Sequence, residues 1–151
     1  MYLAHSFMSD EKKRNSQQPL VLVVEADEDS LLLMNYALDL IGCKFICQNN
    51  SSNTVLMARE YQPDLILLDI FLPGMSGVEV VRSLKQEPRT GSIPVVAVTT
   101  FDMDERELIL DAGFDDYITK PYLIEDLEAV IRRILKRKFQ FYKAFNLCQD
   151  S

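Results

Sequence analysis

Five short apolar runs alternate with helical patterns along the chain, and this alternation limits the folds open to it. The runs are Leu20 to Val24, Lys44 to Gln48, Leu65 to Asp69, Val95 to Thr99 and Tyr117 to Lys120. Each reads as a short β-strand, because it is rich in apolar residues and bounded by turn or helix signals. Strands that are apolar on both faces and joined by helices favour parallel pairing with cover on both sides. The sequence therefore predicts an α/β fold, a doubly wound five-stranded parallel sheet.

The segments between these runs have helical periodicity and stop signals. In the first segment one apolar stripe is formed by Leu31, Met34, Leu38 and Ile41. That segment stops at Gly42, where glycine can adopt the left-handed turn, and the fourth closes on Gly113 in the same way. The second ends before Pro63. These signals predict four helices between the strands and a fifth after them.

Composition and cysteine usage exclude several classes of protein. The chain has 151 residues, of which 48% are hydrophobic, enough for a core of ordinary size. Its apolar runs are too short to span a bilayer and its start lacks a signal-peptide pattern, so we expect a cytoplasmic protein without membrane contact. Cys43, Cys47 and Cys148 lack the spacing of a zinc site or a disulfide framework, which predicts buried thiols.

Charge is distributed unevenly along the chain. Residues 20–131 contain 20 acidic and 7 basic side chains, whereas residues 132–151 contain 1 and 6. The acidic centre argues against a nucleic-acid surface there. The basic end could meet DNA, an anionic membrane or an acidic partner, but lysine and arginine also accumulate at helix carboxyl ends because of the helix dipole. We favour the helix-end interpretation and expect no direct DNA binding.

Reactive side chains follow the predicted carboxyl ends of the strands, the edge at which doubly wound sheets bind ligands. They are Glu25 and Asp27 around Ala26, then Asp69, then Thr99 and Thr100, and finally Lys120 before Pro121. An aspartate can attack a phosphoryl group, a lysine can neutralise its oxygens, and a hydroxyl can donate a hydrogen bond to one of them. Further carboxylates can hold Mg²⁺. The residue types at this edge predict aspartyl phosphorylation.

Four stretches in this order make the chain resemble a response-regulator receiver domain, the flavodoxin-like module of two-component signalling. They are "VVEADE", "LILLDIFLPGMSG", "IPVVAVTT" and "DAGFDDYITKP", and the resemblance covers roughly Leu20 to Arg137. It implies the strand order 2-1-3-4-5 and Mg²⁺ as cofactor. It also implies a phosphoacceptor signalling domain rather than an enzyme, with any self-dephosphorylation incidental.

The resemblance also implies roles for individual residues. Asp69 would accept phosphate from the phosphohistidine of a histidine kinase or phosphotransfer protein, and Lys120 would contact the acyl phosphate. The bond from Lys120 to Pro121 is a candidate cis peptide. Thr99 would be the switch hydroxyl, and Tyr117 the aromatic residue whose rotamer follows it. The signal would then pass by protein contacts to a downstream partner that the sequence does not identify.

Ala26 departs from the family pattern. That position usually holds an aspartate that binds the metal, and alanine offers no oxygen. The remaining candidate ligands are Glu25, Asp69 and the backbone carbonyl of Phe71, so Mg²⁺ affinity should fall. Asp27 could complete the set only if its loop were remodelled, and its alternative role is to cap the first helix. Two interpretations therefore stay open: a phosphorylation switch, or a metal-site-degenerate binding module that acts independently of phosphorylation.

The predicted organisation is a flexible leader at 1–18, a receiver domain at 19–137 and a helical extension at 138–151 without an output domain. In the extension, Phe139 and Tyr142 continue a stripe from Leu135, which either folds back or forms a homodimer or partner surface. A flavoprotein on the same fold is disfavoured, because the acidic loop after the first strand would repel a flavin phosphate.

Overall fold

A computed structural model describes residues 18–100 and 106–136 of the chain. The strands are β1 (Leu20–Val24), β2 (Lys44–Gln48), β3 (Leu65–Asp69), β4 (Val95–Thr99) and β5 (Asp116–Thr119). The helices are α1 (Glu28–Ile41), α2 (Thr54–Tyr61), α3 (Gly77–Gln86), α4 (Arg106–Ala112) and α5 (Ile124–Leu135), with a short 3₁₀ turn at Ser51–Asn53 before α2. Four strands have the predicted bounds. The fifth lies one residue earlier than predicted, because Thr119 pairs with Thr99, the last residue of β4, and Lys120 has no residue opposite it in the ladder.

The five strands form one parallel sheet in the order β2-β1-β3-β4-β5, which confirms the predicted topology. The register places Val24 beside Leu68 and Asp69 beside Val98, so the carboxyl ends of these strands lie at one edge of the sheet. We call it the carboxyl edge. The strand order reverses between β1 and β3, and a crevice forms at such a point.

Two apolar cores cover the sheet, and alternation along the strands assigns each residue to one of them. Val21, Val23, Leu65, Leu67, Val96 and Val98 pack with α1 and α5. Leu20, Leu22, Val24, Ile66, Leu68, Val95 and Ala97 pack with α2, α3 and α4. Because side chains alternate along a strand, Glu25 and Asp69 continue the α1–α5 side, whereas Thr99 continues the other side.

Helix α1 forms as its stripe predicts. Met34, Leu38 and Ile41 are buried, and Leu31 packs against the same core. The helix begins after Asp27, whose side chain accepts a hydrogen bond from Ser30 N at 2.8 Å, and it ends at Gly42 with φ of 89°. The start and stop of α1 are therefore set by an aspartate cap and a left-handed glycine.

Cys43 and Cys47 are buried thiols, as predicted, and burial raises the pKa of Cys43 to about 12. Within the described ranges no helix has the length and apolarity needed to cross a bilayer. The predicted leader, Cys148 and the aromatic stripe beyond Leu135 lie outside the described residues.

Candidate functional site

A lysine and two carboxylates meet at the carboxyl edge, where β1 and β3 end. Lys120 Nζ lies 3.1 Å from Asp69 Oδ2 and 3.0 Å from Glu25 Oε1. The contact with Asp69 is a hydrogen bond, whereas the contact with Glu25 is an ion pair. The side chains are 18% exposed for Lys120, 11% for Asp69 and 1% for Glu25, so the group is largely shielded from water. The structure thus brings together Glu25, Asp69 and Lys120, three of the side chains that the sequence places at this edge.

The protonation of this group follows from burial and pairing. Burial raises the pKa of Glu25, and the hydrogen bond from Asp27 N and the contact with Lys120 offset that rise only in part. Burial alone would lower the pKa of Lys120, but its contacts with Glu25 and Asp69 outweigh this effect and raise the pKa above its usual value. Lys120 is therefore a fixed positive charge at neutral pH.

Each carboxylate is also held by the backbone. Glu25 Oε2 accepts a hydrogen bond from Asp27 N at 3.1 Å, and Glu25 N donates to Gln48 O at 2.9 Å, which extends the contact between β1 and β2. Asp69 Oδ1 accepts a hydrogen bond from Phe71 N at 3.0 Å. Phe71 as a whole residue is 63% exposed. Asp69 thus has one oxygen on the backbone and one on Lys120.

Ser51 holds the loop that follows Asp69, and sequence reasoning missed this contact. Its hydroxyl donates to Met75 O at 2.5 Å and approaches Pro73 O at 3.2 Å, and its backbone N donates to Pro73 O at 3.1 Å. Between these residues Gly74 has φ of 108°. The "PGMSG" motif signals the turn, but no local pattern identifies a serine more than twenty residues away as its partner.

Thr99 and Tyr117 lie near one another on the side of the sheet covered by α2, α3 and α4. Thr99 is 1% exposed and its backbone oxygen accepts a hydrogen bond from Lys120 N at 2.6 Å. Thr100, the alternative hydroxyl, is exposed. Tyr117 pairs in register with Ala97 and packs against that core. The Lys120–Pro121 peptide is cis, as expected.

The donors expected for Mg²⁺ form an incomplete set. Ala26 is exposed and contributes no oxygen, and Asp27, the alternative ligand, caps α1. Among the described residues no group of three or more histidine, cysteine, aspartate or glutamate side chains could hold a metal ion. Glu25 and Asp69 are both engaged by Lys120. Magnesium prefers about six oxygen ligands, so these residues do not by themselves fit a complete site.

Comparisons with known proteins agree with this geometry. The family model described as "Response regulator receiver domain" matches residues 21–132. The polar-differentiation response regulator DivK of Brucella anthropi is 37% identical over 116 residues, which are 76% of this chain and 94% of DivK. The probable transcriptional regulatory protein TcrX of Mycobacterium tuberculosis is 35% identical over 127 residues, 83% of this chain and 53% of TcrX. The chain spans about half the length of such transcriptional regulators.

Solved structures show the same fold. A response regulator from Desulfuromonas acetoxidans has a TM-score of 0.71 and 33% identity, with 80% of this chain and 98% of that chain covered. The receiver domain of the sensor histidine kinase PA1611 from Pseudomonas aeruginosa has a TM-score of 0.72 and 24% identity, with 79% and 98% covered. That protein has a magnesium ion coordinated in its active-site cleft.

The chain belongs to the response regulator receiver domain family of two-component systems. Receiver domains are signalling domains, and they interact with histidine kinases and phosphotransfer proteins.

Proposed function

We propose that Asp69 is a phosphoacceptor that takes a phosphoryl group from the phosphohistidine of a histidine kinase or phosphotransfer protein. The observation that carries this proposal is the Lys120 ammonium, which lies 3.1 Å from Asp69 Oδ2 at the carboxyl edge. A carboxylate oxygen of Asp69 would attack phosphorus, the phosphorus–nitrogen bond to the donor imidazole would break, and the imidazole would keep the bonding electrons. Lys120 would neutralise charge on the transferred oxygens.

Thr99 and Tyr117 are proposed to transmit the change. Thr99 ends the strand next to the one that ends on Asp69, and its side chain is buried. A phosphoryl group on Asp69 would offer the Thr99 hydroxyl a new acceptor, and movement of that hydroxyl would open space for the Tyr117 ring. Such a change shifts a two-state equilibrium and alters the surface available to a downstream protein. The boundary at 19–137 and the helical extension at 138–151 remain predictions.

A second candidate function is favoured by one specific observation. Ala26 removes a metal-binding oxygen from the site, and Lys120 already pairs with both remaining carboxylates. A site closed in this way would resist both metal and phosphate. The domain would then be a binding module that docks partners independently of phosphorylation. Under either function we propose that Mg²⁺ binds only weakly.

Phosphorylation by a small phosphodonor with Mg²⁺ distinguishes the two functions. Intact mass would be followed for the unsubstituted chain, for Asp69→Asn and for Ala26→Asp. Asp29→Asn serves as a control, because it removes an exposed carboxylate from the first turn of α1 and leaves the site intact. We expect slow gain of one phosphate by the unsubstituted chain and the control, faster gain by Ala26→Asp, and none by Asp69→Asn.

Two other results would change the assignment. If only Ala26→Asp gains phosphate, the site is inactive as it stands and the docking function replaces the switch. If Asp69→Asn gains as much phosphate as the unsubstituted chain, Asp69 is not the acceptor and the proposal is wrong.

A further inference from the structure

Tyr122 carries a buried hydroxyl that neither proposed function uses. Its oxygen is shielded from solvent and has no hydrogen-bond partner within the described residues. A buried hydroxyl without a partner costs roughly 1–3 kcal/mol, and buried tyrosines usually donate to some acceptor. The residue lies two positions after Lys120, between β5 and α5. A donor without an acceptor, next to the proposed phosphorylation site, is expected to gain an acceptor in the phosphorylated form of the domain.

Burial and the side of the sheet on which they lie make Glu25 a candidate acceptor for this hydroxyl. The Tyr122 ring packs against the core on the α1–α5 side of the sheet, and alternation along β1 directs Glu25 to the same side. Burial raises the pKa of Tyr122 to about 12, and the charge of Glu25 contributes more to that rise than those of Asp27 and Asp69. The hydroxyl is therefore protonated at neutral pH, and Glu25 is the carboxylate whose charge acts on it most strongly.

Glu25 itself has one oxygen without a hydrogen bond. Its Oε2 accepts from Asp27 N, whereas Oε1 is buried and, among the described residues, has only the ion pair with Lys120 at 3.0 Å. Thus two buried oxygens with open hydrogen-bonding capacity, one a donor and one an acceptor, occur on the same side of the carboxyl edge. While Asp69 is unphosphorylated, Lys120 compensates the charge of Glu25.

Phosphorylation of Asp69 would disturb this balance. A phosphoryl group places about two negative charges and further acceptor oxygens where Lys120 now meets Asp69. The ammonium would move toward those oxygens, and Glu25 would lose its cation while remaining buried. An uncompensated buried carboxylate is costly, so it would pull Lys120 back unless another donor replaced it.

We propose that Tyr122 is this replacement donor: its hydroxyl binds Glu25 Oε1 when Lys120 turns to the phosphoryl group, so Tyr122 is a positioning residue for Lys120. The inference rests on the proposed phosphoacceptor function of Asp69. The exchange involves no covalent step. Only hydrogen-bond partners change, from Lys120–Glu25 to Tyr122–Glu25, and the phosphorylated form becomes more favourable.

The test compares Tyr122→Phe, which removes one oxygen and keeps the ring, with Tyr36→Phe, the same change on a tyrosine that is 58% exposed on α1. The affinity for beryllium trifluoride, a tetrahedral phosphoryl mimic, would be measured with Mg²⁺ by fluorine NMR. We expect Tyr122→Phe to weaken binding roughly ten- to hundredfold, the effect of losing one hydrogen bond to a charged group, and Tyr36→Phe to leave it unchanged.

A structural role for Tyr122 is separated from the proposed one by two further measurements. Urea unfolding of the unliganded chain should show no loss of stability in Tyr122→Phe, because the hydroxyl has no partner in that state. In Glu25→Gln the buried group is neutral and needs no replacement charge partner, so adding Tyr122→Phe should weaken binding by about twofold or less.

The outcomes separate this inference from the function on which it rests. If the unsubstituted chain gains phosphate on Asp69 and Tyr122→Phe binds the mimic as tightly, the inference alone is wrong. An equal loss in the Glu25→Gln background would also reject it, since Tyr122 would then act through another group. If the unsubstituted chain takes neither phosphate nor the mimic, the proposed function and the inference fail together.

Discussion

Replacing Lys120 with methionine should expose how the site balances its charges. Methionine keeps most of the length and the apolar stem of lysine but removes the cation that lies 3.0 Å from Glu25 and 3.1 Å from Asp69. Both carboxylates are shielded, with side chains 1% and 11% exposed. Breaking a buried pair by removing one partner costs about 3–5 kcal/mol. We expect a loss of this size in the free energy of unfolding at neutral pH.

Lys85→Met provides a matched control on the same fold. Lys85 Nζ contacts Asp115 at 3.1 Å, a separation like those in the site, but the Asp115 side chain is 44% exposed. Exposed pairs contribute about 1 kcal/mol or less, and the bond that Lys85 Nζ also donates to Ile93 O contributes about 1 kcal/mol, so the control should lose less stability than Lys120→Met. If the free energy of unfolding falls with urea concentration at the same slope in both variants, urea denaturation compares their stability losses directly.

The pH dependence of the stability loss provides a second check, and Glu25 determines its direction. Its pKa is raised in the folded chain, so the protonated form favours folding and stability is lost as pH rises through the folded pKa. Without Lys120 the pKa of Glu25 in the folded chain should be raised further. The penalty of Lys120→Met should therefore be greatest at neutral pH and shrink toward pH 4.5, the ordinary pKa of glutamate. A penalty no larger than that of Lys85→Met, or one that does not change with pH, would refute the charge argument.

Three further predictions concern the segments that support the site. Gly74→Ala should lower the free energy of unfolding more than Gly42→Ala does. A Cβ at Gly74 would lie 2.5 Å from Asn50 Oδ1, whereas a Cβ at Gly42 would have no described atom within 4 Å and only its positive φ would cost energy. Equal losses in urea unfolding would show that the clash at Gly74 is relieved without cost. Ser51→Ala should cost about 1–2 kcal/mol, because it leaves the Met75 carbonyl without its donor, and a loss below a few tenths in the same assay would contradict this. Asp27→Ala should destabilise the chain at pH above 3.8, the ordinary pKa of aspartate. The stability difference from the unsubstituted chain should vanish as pH falls through the lowered pKa of Asp27, because the cap is then protonated. A stability difference that does not change with pH in acid unfolding would reject the cap as its cause.

The fold was predictable because periodicity reports directly on burial. Runs such as Leu20–Val24 are buried throughout, and a fully apolar strand permits few arrangements other than a covered parallel sheet. The stop of α1 at Gly42 was equally readable, since a left-handed turn demands a residue without a Cβ. The convergence of Asp69 and Lys120, 51 positions apart, followed from the resemblance and from the rule that parallel strands share a carboxyl edge.

Contacts made across loops were not predictable in the same way. The hydrogen bond from Ser51 to Met75 joins the segment after β2 to the segment after β3. These segments come together only because β2 and β3 both pair with β1. The unpaired hydroxyl of Tyr122 has no sequence signal either, since a tyrosine after proline reads as packing. The cap at Asp27 was one of two alternatives, and the bond from Ser30 N favours it over a ligand role. Such features depend on distances that a linear pattern does not contain.

The exposure of Ala26 has a consequence for how such a site can change over generations. Because the side chain touches no core, exchange of alanine for aspartate at this position would be nearly invisible to selection for folding. Two of the four alanine codons differ from an aspartate codon by a single base, in the second position. From those codons, loss and recovery of the metal-binding oxygen are separated by one reversible mutation, and a lineage can cross in either direction without passing through an unstable intermediate.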